Sequence, residues 1–201
     1  MCAERSAAGC LYKTRRNTTG PDMPNHMFVV TGGPGSGKSS LLDALAKTGV
    51  RHMPEAGRAI IQDQVRIDGP ALPWSNRLAF AELMLGWELR SHREALYAPG
   101  PILMDRGVPD VLGYLSLCDL PVPAHIRRAA ELYRYNRQVF IAPYWPEIFT
   151  QDAERKQDTK EAEATFKVMA KTYSGLGYEL IELPRASIEQ RVSFVLHHLR
   201  T

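Results

Sequence analysis

Residues 27–40 read MFVVTGGPGSGKSS. The opening run MFVVTGG (Met27–Gly33) has the apolar, glycine-terminated pattern of a strand buried on both faces of a parallel sheet. Gly32-Gly33-Pro34-Gly35-Ser36-Gly37-Lys38-Ser39 then completes a G-x-x-x-x-G-K-[ST] phosphate loop. Helical spacing follows at Leu41, Leu42 and Leu45 and stops at Gly49. Each part has a physical task. Glycines let several backbone N–H groups turn onto one anion, and the helix points its positive end at the same place. Lys38 reaches the β- and γ-phosphates, and the Ser39 hydroxyl can ligate Mg²⁺. The predicted nucleotide-binding set is Gly33, Pro34, Gly35, Ser36, Gly37, Lys38, Ser39 and Ser40.

Outward from this loop, strand-like and helix-like segments alternate. Val50–Met53 is a short strand stopped by Pro54, and Glu55–Gln64 is helical. Ser75 is placed to cap a long helix to about Tyr97, with Leu78, Ala81, Leu85 and Leu89 on one face. Ile102–Asp105 is a third strand, and a helix runs from after Pro109 to Leu117. A helix over Ala124–Asn136 and a strand-like run at Val139–Trp145 follow. The charged stretch Gln151–Glu163 leads into a helix ending near Gly175 or Gly177, then strand Tyr178–Leu183 and helix Ser187–Leu199. Such alternation predicts an α/β fold of three layers, with a parallel sheet of about five strands between helices.

Carboxylates at strand ends are the candidates for chemistry. Asp105 closes the third strand, where ligands bind in open α/β sheets; it is placed to hold Mg²⁺ or contact a phosphoryl acceptor. Arg106 beside it suits an anionic substrate group or the transferred phosphoryl. Asp110 is open between capping a helix and touching substrate. Glu55 follows the second strand, placed either to take a proton from an attacking hydroxyl or to pair with Arg58 one turn on. Arg155 sits in the charged segment and is the favoured member of a mobile lid that closes over the triphosphate. Arg127, Arg128, Arg134 and Arg137 read as surface residues, with Arg127 or Arg134 also placed to reach into the crevice, and Trp74, Phe80 and Trp87 as core packing rather than a stacking platform.

Composition narrows the class. The 201 residues carry 25 Lys+Arg against 22 Asp+Glu, and the first 26 residues hold a surplus of two positive charges. The remaining body is close to neutral, which argues against a nucleic-acid partner. No stretch is long and apolar enough for a membrane span. Cys2, Cys10 and Cys118 form no CxxC pair and read as free thiols in a reducing, cytoplasmic setting. Residues 1–26 read as a flexible tail or a mis-called start, since Met23 and Met27 both precede the first strand; residues 27–201 are the working domain.

With these positions in hand, the chain resembles the P-loop ATPase/kinase family named for the kinase-type domain of the bacterial NAD regulator and a eukaryotic trafficking factor, which carries an AAA-type label. FVVTGGPGSGKSS, PEAGRAII, ILMDRGVPD, DAERKQD and ELIELPRASIEQRVSFVLHHL carry the resemblance over about residues 27–199. It implies a nucleoside/nucleotide-kinase-like fold, nucleotide at Gly32–Ser39, Mg²⁺-linked chemistry near Asp105 and a lid around Arg155. It also places Glu55 where similar nucleoside kinases keep a base. The adenylyltransferase domain of some relatives is not seen here, so a stand-alone module is expected.

The leading expectation is an ATP- and Mg²⁺-dependent phosphotransferase acting on a small metabolite such as a nucleoside or nucleotide, with Lys38, Glu55, Asp105, Arg106 and Arg155 as its catalytic group. A nucleotide-hydrolysing switch that acts through a protein partner is the alternative, and a polynucleotide 5′-kinase ranks below it. The guanine-reading N-K-x-D is absent, which favours ATP and leaves GTP open.

Overall fold

The computed structural model describes residues 24–148 and 159–200. Five parallel strands form one sheet in the order β2-β3-β1-β4-β5: β1 (Met27–Gly32), β2 (Arg51–Met53), β3 (Ile102–Asp105), β4 (Gln138–Ala142) and β5 (Glu179–Glu182). Among the described residues seven α-helices connect and cover them: α1 (Lys38–Ala46), α2 (Ala56–Arg66), α3 (Arg77–Ala95), α4 (Val108–Leu117), α5 (Ala124–Leu132), α6 (Thr159–Gly175) and α7 (Ile188–His198).

Strand side chains alternate between the two faces, and each face buries its own core. Phe28, Val30, Leu103 and Phe140 meet Leu41, Leu42 and Leu45 of α1 and Val195 of α7. Met27, Val29, Met104 and Val139 meet Ala95 of α3 and Tyr173 of α6. Every residue of β1 is buried, as a central strand covered by helices on both sides requires. Truncating Leu41 or Leu45, both fully buried, to alanine would cost about 2–5 kcal/mol. A third cluster joins α3, α4 and α5, and a small fourth packs Ala56 and Ile60 of α2 on Phe80.

Several boundaries depart from the sequence reading. Asn76, not Ser75, caps α3, its Oδ1 accepting from Ala79 N at 3.0 Å. Helix α4 takes Pro109 into its first turn, where a missing N–H is harmless. Helix α5 stops at Leu132 because the chain must turn inward: Arg134 and Tyr135 are buried, and Asn136 N bonds Met27 O at 2.7 Å. Arg134 is therefore not a surface residue; it donates to Leu176 O and lies 4.1 Å from the Tyr178 ring centroid. β4 ends before Pro143, which has no N–H for a ladder. Phe80 is core, but Trp74, ahead of α3, is 61% exposed, and Leu78 is also exposed and does not join the buried face of the helix.

The strand order positions the site. The chain leaves β1 toward β2 on one side and reaches β4 on the other, so a crevice opens beyond the carboxyl ends of β1 and β3. The phosphate loop, Glu55 and Asp105 all lie on that rim.

Candidate active site

The loop between β1 and α1 has the backbone that its glycines permit. Gly35 and Gly37 sit in the left-handed region at φ +68° and +73°. Lys38 opens α1 and is 6% exposed. Its Nζ donates to Gly33 O at 2.6 Å, Gly32 O at 3.2 Å and Ser36 Oγ at 3.3 Å, so the ammonium rests against the loop it would share with a phosphate. Ser36 Oγ donates to Gly33 O at 2.8 Å. Gly33, Pro34 and Ser36 are buried, whereas Ser39 and Ser40 in the first turn of α1 are exposed. That first turn has no acidic residue to compete with an anion.

Two further elements press on the loop. A Cβ on Gly33 would stand 2.5 Å from Ala162 O, so the start of α6 lies directly against it. Arg191 of α7, 2% exposed, donates from Nη2 to Ser36 O at 3.3 Å and stands 6.0 Å from the Trp145 ring centroid. Burial holds its guanidinium below the ordinary arginine pKa.

The acidic half of the site is built on one rim. Asp105 pairs in register with Val30 of β1, and the next amide, Arg106 N, donates to Val30 O at 3.1 Å. Asp105 is 7% exposed, and its Oδ1 has no hydrogen-bond partner among the described residues. Burial and then the charge of Glu55 raise its pKa, against the pull of Lys38 and Arg106. Arg106 adopts φ +76°, unusual for a side chain of this size. Its Nε donates to Glu55 Oε1 at 3.0 Å and its Nη1 to Asp110 Oδ1 at 3.0 Å. Burial works against its charge, but Glu55, Asp110 and Asp105 together hold the guanidinium more firmly protonated than usual.

Asp110 caps α4 through Gly107 N at 3.0 Å and also accepts from Thr31 Oγ1 at 2.6 Å and Tyr173 OH at 2.5 Å. Glu88 on α3, 4% exposed, faces the same charges; burial, then Asp110, raise its pKa well above the ordinary carboxylate range. Of the expected catalytic group, Lys38, Glu55, Asp105 and Arg106 lie on the common rim, whereas Arg155 falls outside the described residues. Sequence reasoning did not single out Thr31, Glu88, Tyr173 or Arg191. Only Thr31, one residue before the phosphate loop, carried a local signal.

Mg²⁺ suits the donors present. Among the described residues no group of three His, Cys, Asp or Glu side chains could hold a metal alone. Mg²⁺ takes one or two protein oxygens and completes its shell with phosphate and water. The buried, unpartnered Asp105 Oδ1 is an oxygen of that kind, with Ser39 at the start of α1 as the second.

The model of a family of AAA domains matches residues 27–191. The chain belongs to that family. This AAA domain carries a P-loop and shares the fold of NadR and of a deoxyadenosine kinase. A deoxyadenosine kinase from M. mycoides, solved with products dCMP and dCDP, superposes with TM-score 0.61 at 12% identity over 87% of this chain and 98% of its own. NadR in complex with NR superposes with TM-score 0.64 at 14% identity over 88% of this chain, which spans 52% of NadR. NadR with NAD and AMP-PNP gives TM-score 0.63 at 12% identity, over 88% and 50% of the two chains. No curated protein matches the AAA domain in sequence. Among its described residues no helix is long and apolar enough to cross a membrane.

Proposed function

We propose that the chain is an ATP-dependent phosphotransferase that moves the γ-phosphoryl group to a hydroxyl of a small metabolite of nucleoside or nucleotide type. The observation that carries this reading is the Glu55–Arg106 pair at 3.0 Å beside the buried carboxyl of Asp105, on the rim that also holds Lys38. A carboxylate in that place can take the proton of an acceptor hydroxyl as its oxygen attacks the γ-phosphorus. The new O–P bond forms as the bond to the β–γ bridging oxygen breaks, and ADP leaves.

In this reading Lys38 exchanges the Gly32 and Gly33 carbonyls for phosphate oxygens. The backbone amides of Gly33–Ser40 cradle the polyphosphate. Ser39 and Asp105 would hold Mg²⁺, which would neutralise charge on the phosphates. Arg106 offers a guanidinium to the transferred group, and Arg155 closes over it from the lid implied by the family resemblance. Nucleotides bound to the deoxyadenosine kinase, and NR bound to NadR, support an acceptor of that chemistry and an adenine donor, with GTP kept as an alternative. The free thiol of Cys118 agrees with a cytoplasmic setting.

The test is ATP and GTP consumption with Mg²⁺, with and without a panel of nucleosides, nucleotides and related alcohols, products followed by mass. One acceptor should gain a phosphoryl group in step with triphosphate loss. Slow hydrolysis indifferent to every acceptor would instead support a nucleotide-dependent switch. Glu55→Gln should lower transfer by about 10²–10⁴-fold and leave ATP affinity near wild type. Unchanged transfer would remove Glu55 from the chemistry.

A further inference from the structure

We propose that Asp110 is a positioning residue of the site: it fixes the guanidinium of Arg106 and ties it to β1 and α6. The inference rests on the phosphotransferase reading for its catalytic consequence, but its geometry stands alone. An ionised carboxylate offers about four lone-pair sites. All four are filled here, by Thr31 Oγ1 (2.6 Å) and Arg106 Nη1 (3.0 Å) on Oδ1, and by Gly107 N (3.0 Å) and Tyr173 OH (2.5 Å) on Oδ2. A carboxylate so occupied has no acceptor capacity left for substrate. Capping α4 needs only the Gly107 amide, so the cap explains one bond of the four.

The other three donors come from separate places. Thr31 is fully buried at the end of β1, one residue before the phosphate loop, and Tyr173 is fully buried on α6. Helix α6 is the element whose start presses on Gly33. Asp110 therefore joins the strand that carries the loop, the helix that packs on it, and Arg106. In a buried setting such bonds hold their geometry firmly, because each lost partner leaves a costly unsatisfied group.

Arg106 needs such a hold. Glu55 takes Nε and Asp110 takes Nη1, which fixes the plane of the guanidinium from two sides. Nη2 is left with no hydrogen-bond partner among the described residues, as the nitrogen available to an anionic oxygen. A guanidinium aimed by two carboxylates is the arrangement that a developing phosphoryl charge requires, since loose donors lose most of their effect.

The experiment compares Asp110→Asn, Tyr173→Phe and Thr31→Val in the full chain. Turnover is read both on phosphoryl transfer and on Mg²⁺·ATP hydrolysis, with KM for ATP and the melting temperature. The ¹⁵N side-chain signal of Arg106, assigned through Arg106→Lys, reports exchange of its Nε–H. Asp110→Asn should lower kcat by about 10–100-fold with little change in KM for ATP, and should speed exchange at Arg106. Tyr173→Phe and Thr31→Val keep the carboxylate and should show smaller effects in the same direction. The proposal is overturned if Arg106 exchange stays slow in Asp110→Asn, or if kcat holds below the melting range. It is also overturned if Tyr173→Phe lowers the melting temperature without touching kcat or exchange. Failure of the wild type to phosphorylate any acceptor would sink the phosphotransferase reading instead, leaving exchange and ATP hydrolysis to judge Asp110.

Discussion

Replacing Gly33 by alanine would set a methyl carbon 2.5 Å from Ala162 O and 3.2 Å from its carbonyl carbon, where real Cβ atoms keep beyond 3.0 Å. The obstacle is helix backbone, so no side chain can swing aside. The backbone of Gly33 lies outside the left-handed region, so the clash is the whole effect. Either α6 shifts or the phosphate loop does. Overpacking of this kind costs about 1–3 kcal/mol, and a domain of this size loses about 2–4 °C per kcal/mol. Thermal unfolding followed by circular dichroism should therefore show a fall of about 2–12 °C. Gly86→Ala is the control: it lies inside α3 with nothing within 4 Å of its would-be Cβ. It should gain about 0.8–1 kcal/mol of helix propensity and melt about 2–4 °C higher. An unchanged or raised melting temperature in Gly33→Ala would refute the contact between α6 and the loop.

Glu88→Gln tests the buried charge. A carboxyl with a raised folded pKa keeps its proton where the unfolded chain has released it, so stability falls as pH rises above the ordinary value of 4.5. The variant should show no advantage at acid pH and a melting temperature increasingly above wild type as pH rises. Arg191→Ala removes the donor to Ser36 O at 3.3 Å and should weaken ATP binding about tenfold in a fluorescent-nucleotide titration. Ser187→Ala breaks the capping box with Gln190, bonded at 3.1 and 3.4 Å, and should lower stability by about 1 kcal/mol in a urea titration.

The layers and the phosphate loop were legible in the sequence because their signals are local. Apolar runs at β1, β3 and β4 and the spaced glycines before Lys38 need no distant partner to be read. The strand-end carboxylates Glu55 and Asp105 were legible for the same reason, since topology sends every strand end to one rim. What escaped depends on long-range neighbours. Thr31 and Asp110 lie 79 residues apart, and Ser36 and Arg191 lie 155 apart. Their chemistry appears only when α4, α6 and α7 are packed. Arg134 looked like one of several surface arginines because its burial follows from the inward turn after Leu132, which no local pattern announces. Trp74 departs the other way: a large apolar side chain that reads as core packing is exposed.

The left-handed backbone of Arg106 bears on how the position would drift under selection. A non-glycine residue at φ +76° costs about 1–3 kcal/mol of strain. Arg106→Gly and Arg106→Ala delete the same guanidinium, but only glycine also relaxes the backbone. Both variants leave the carboxylates of Glu55 and Asp110 without their partner, so the difference between them isolates the backbone strain: Arg106→Gly should be more stable than Arg106→Ala by about 1–3 kcal/mol in a urea titration. Stability and turnover therefore both favour arginine at this position in spite of its backbone, because the pairs it makes outweigh the strain it carries.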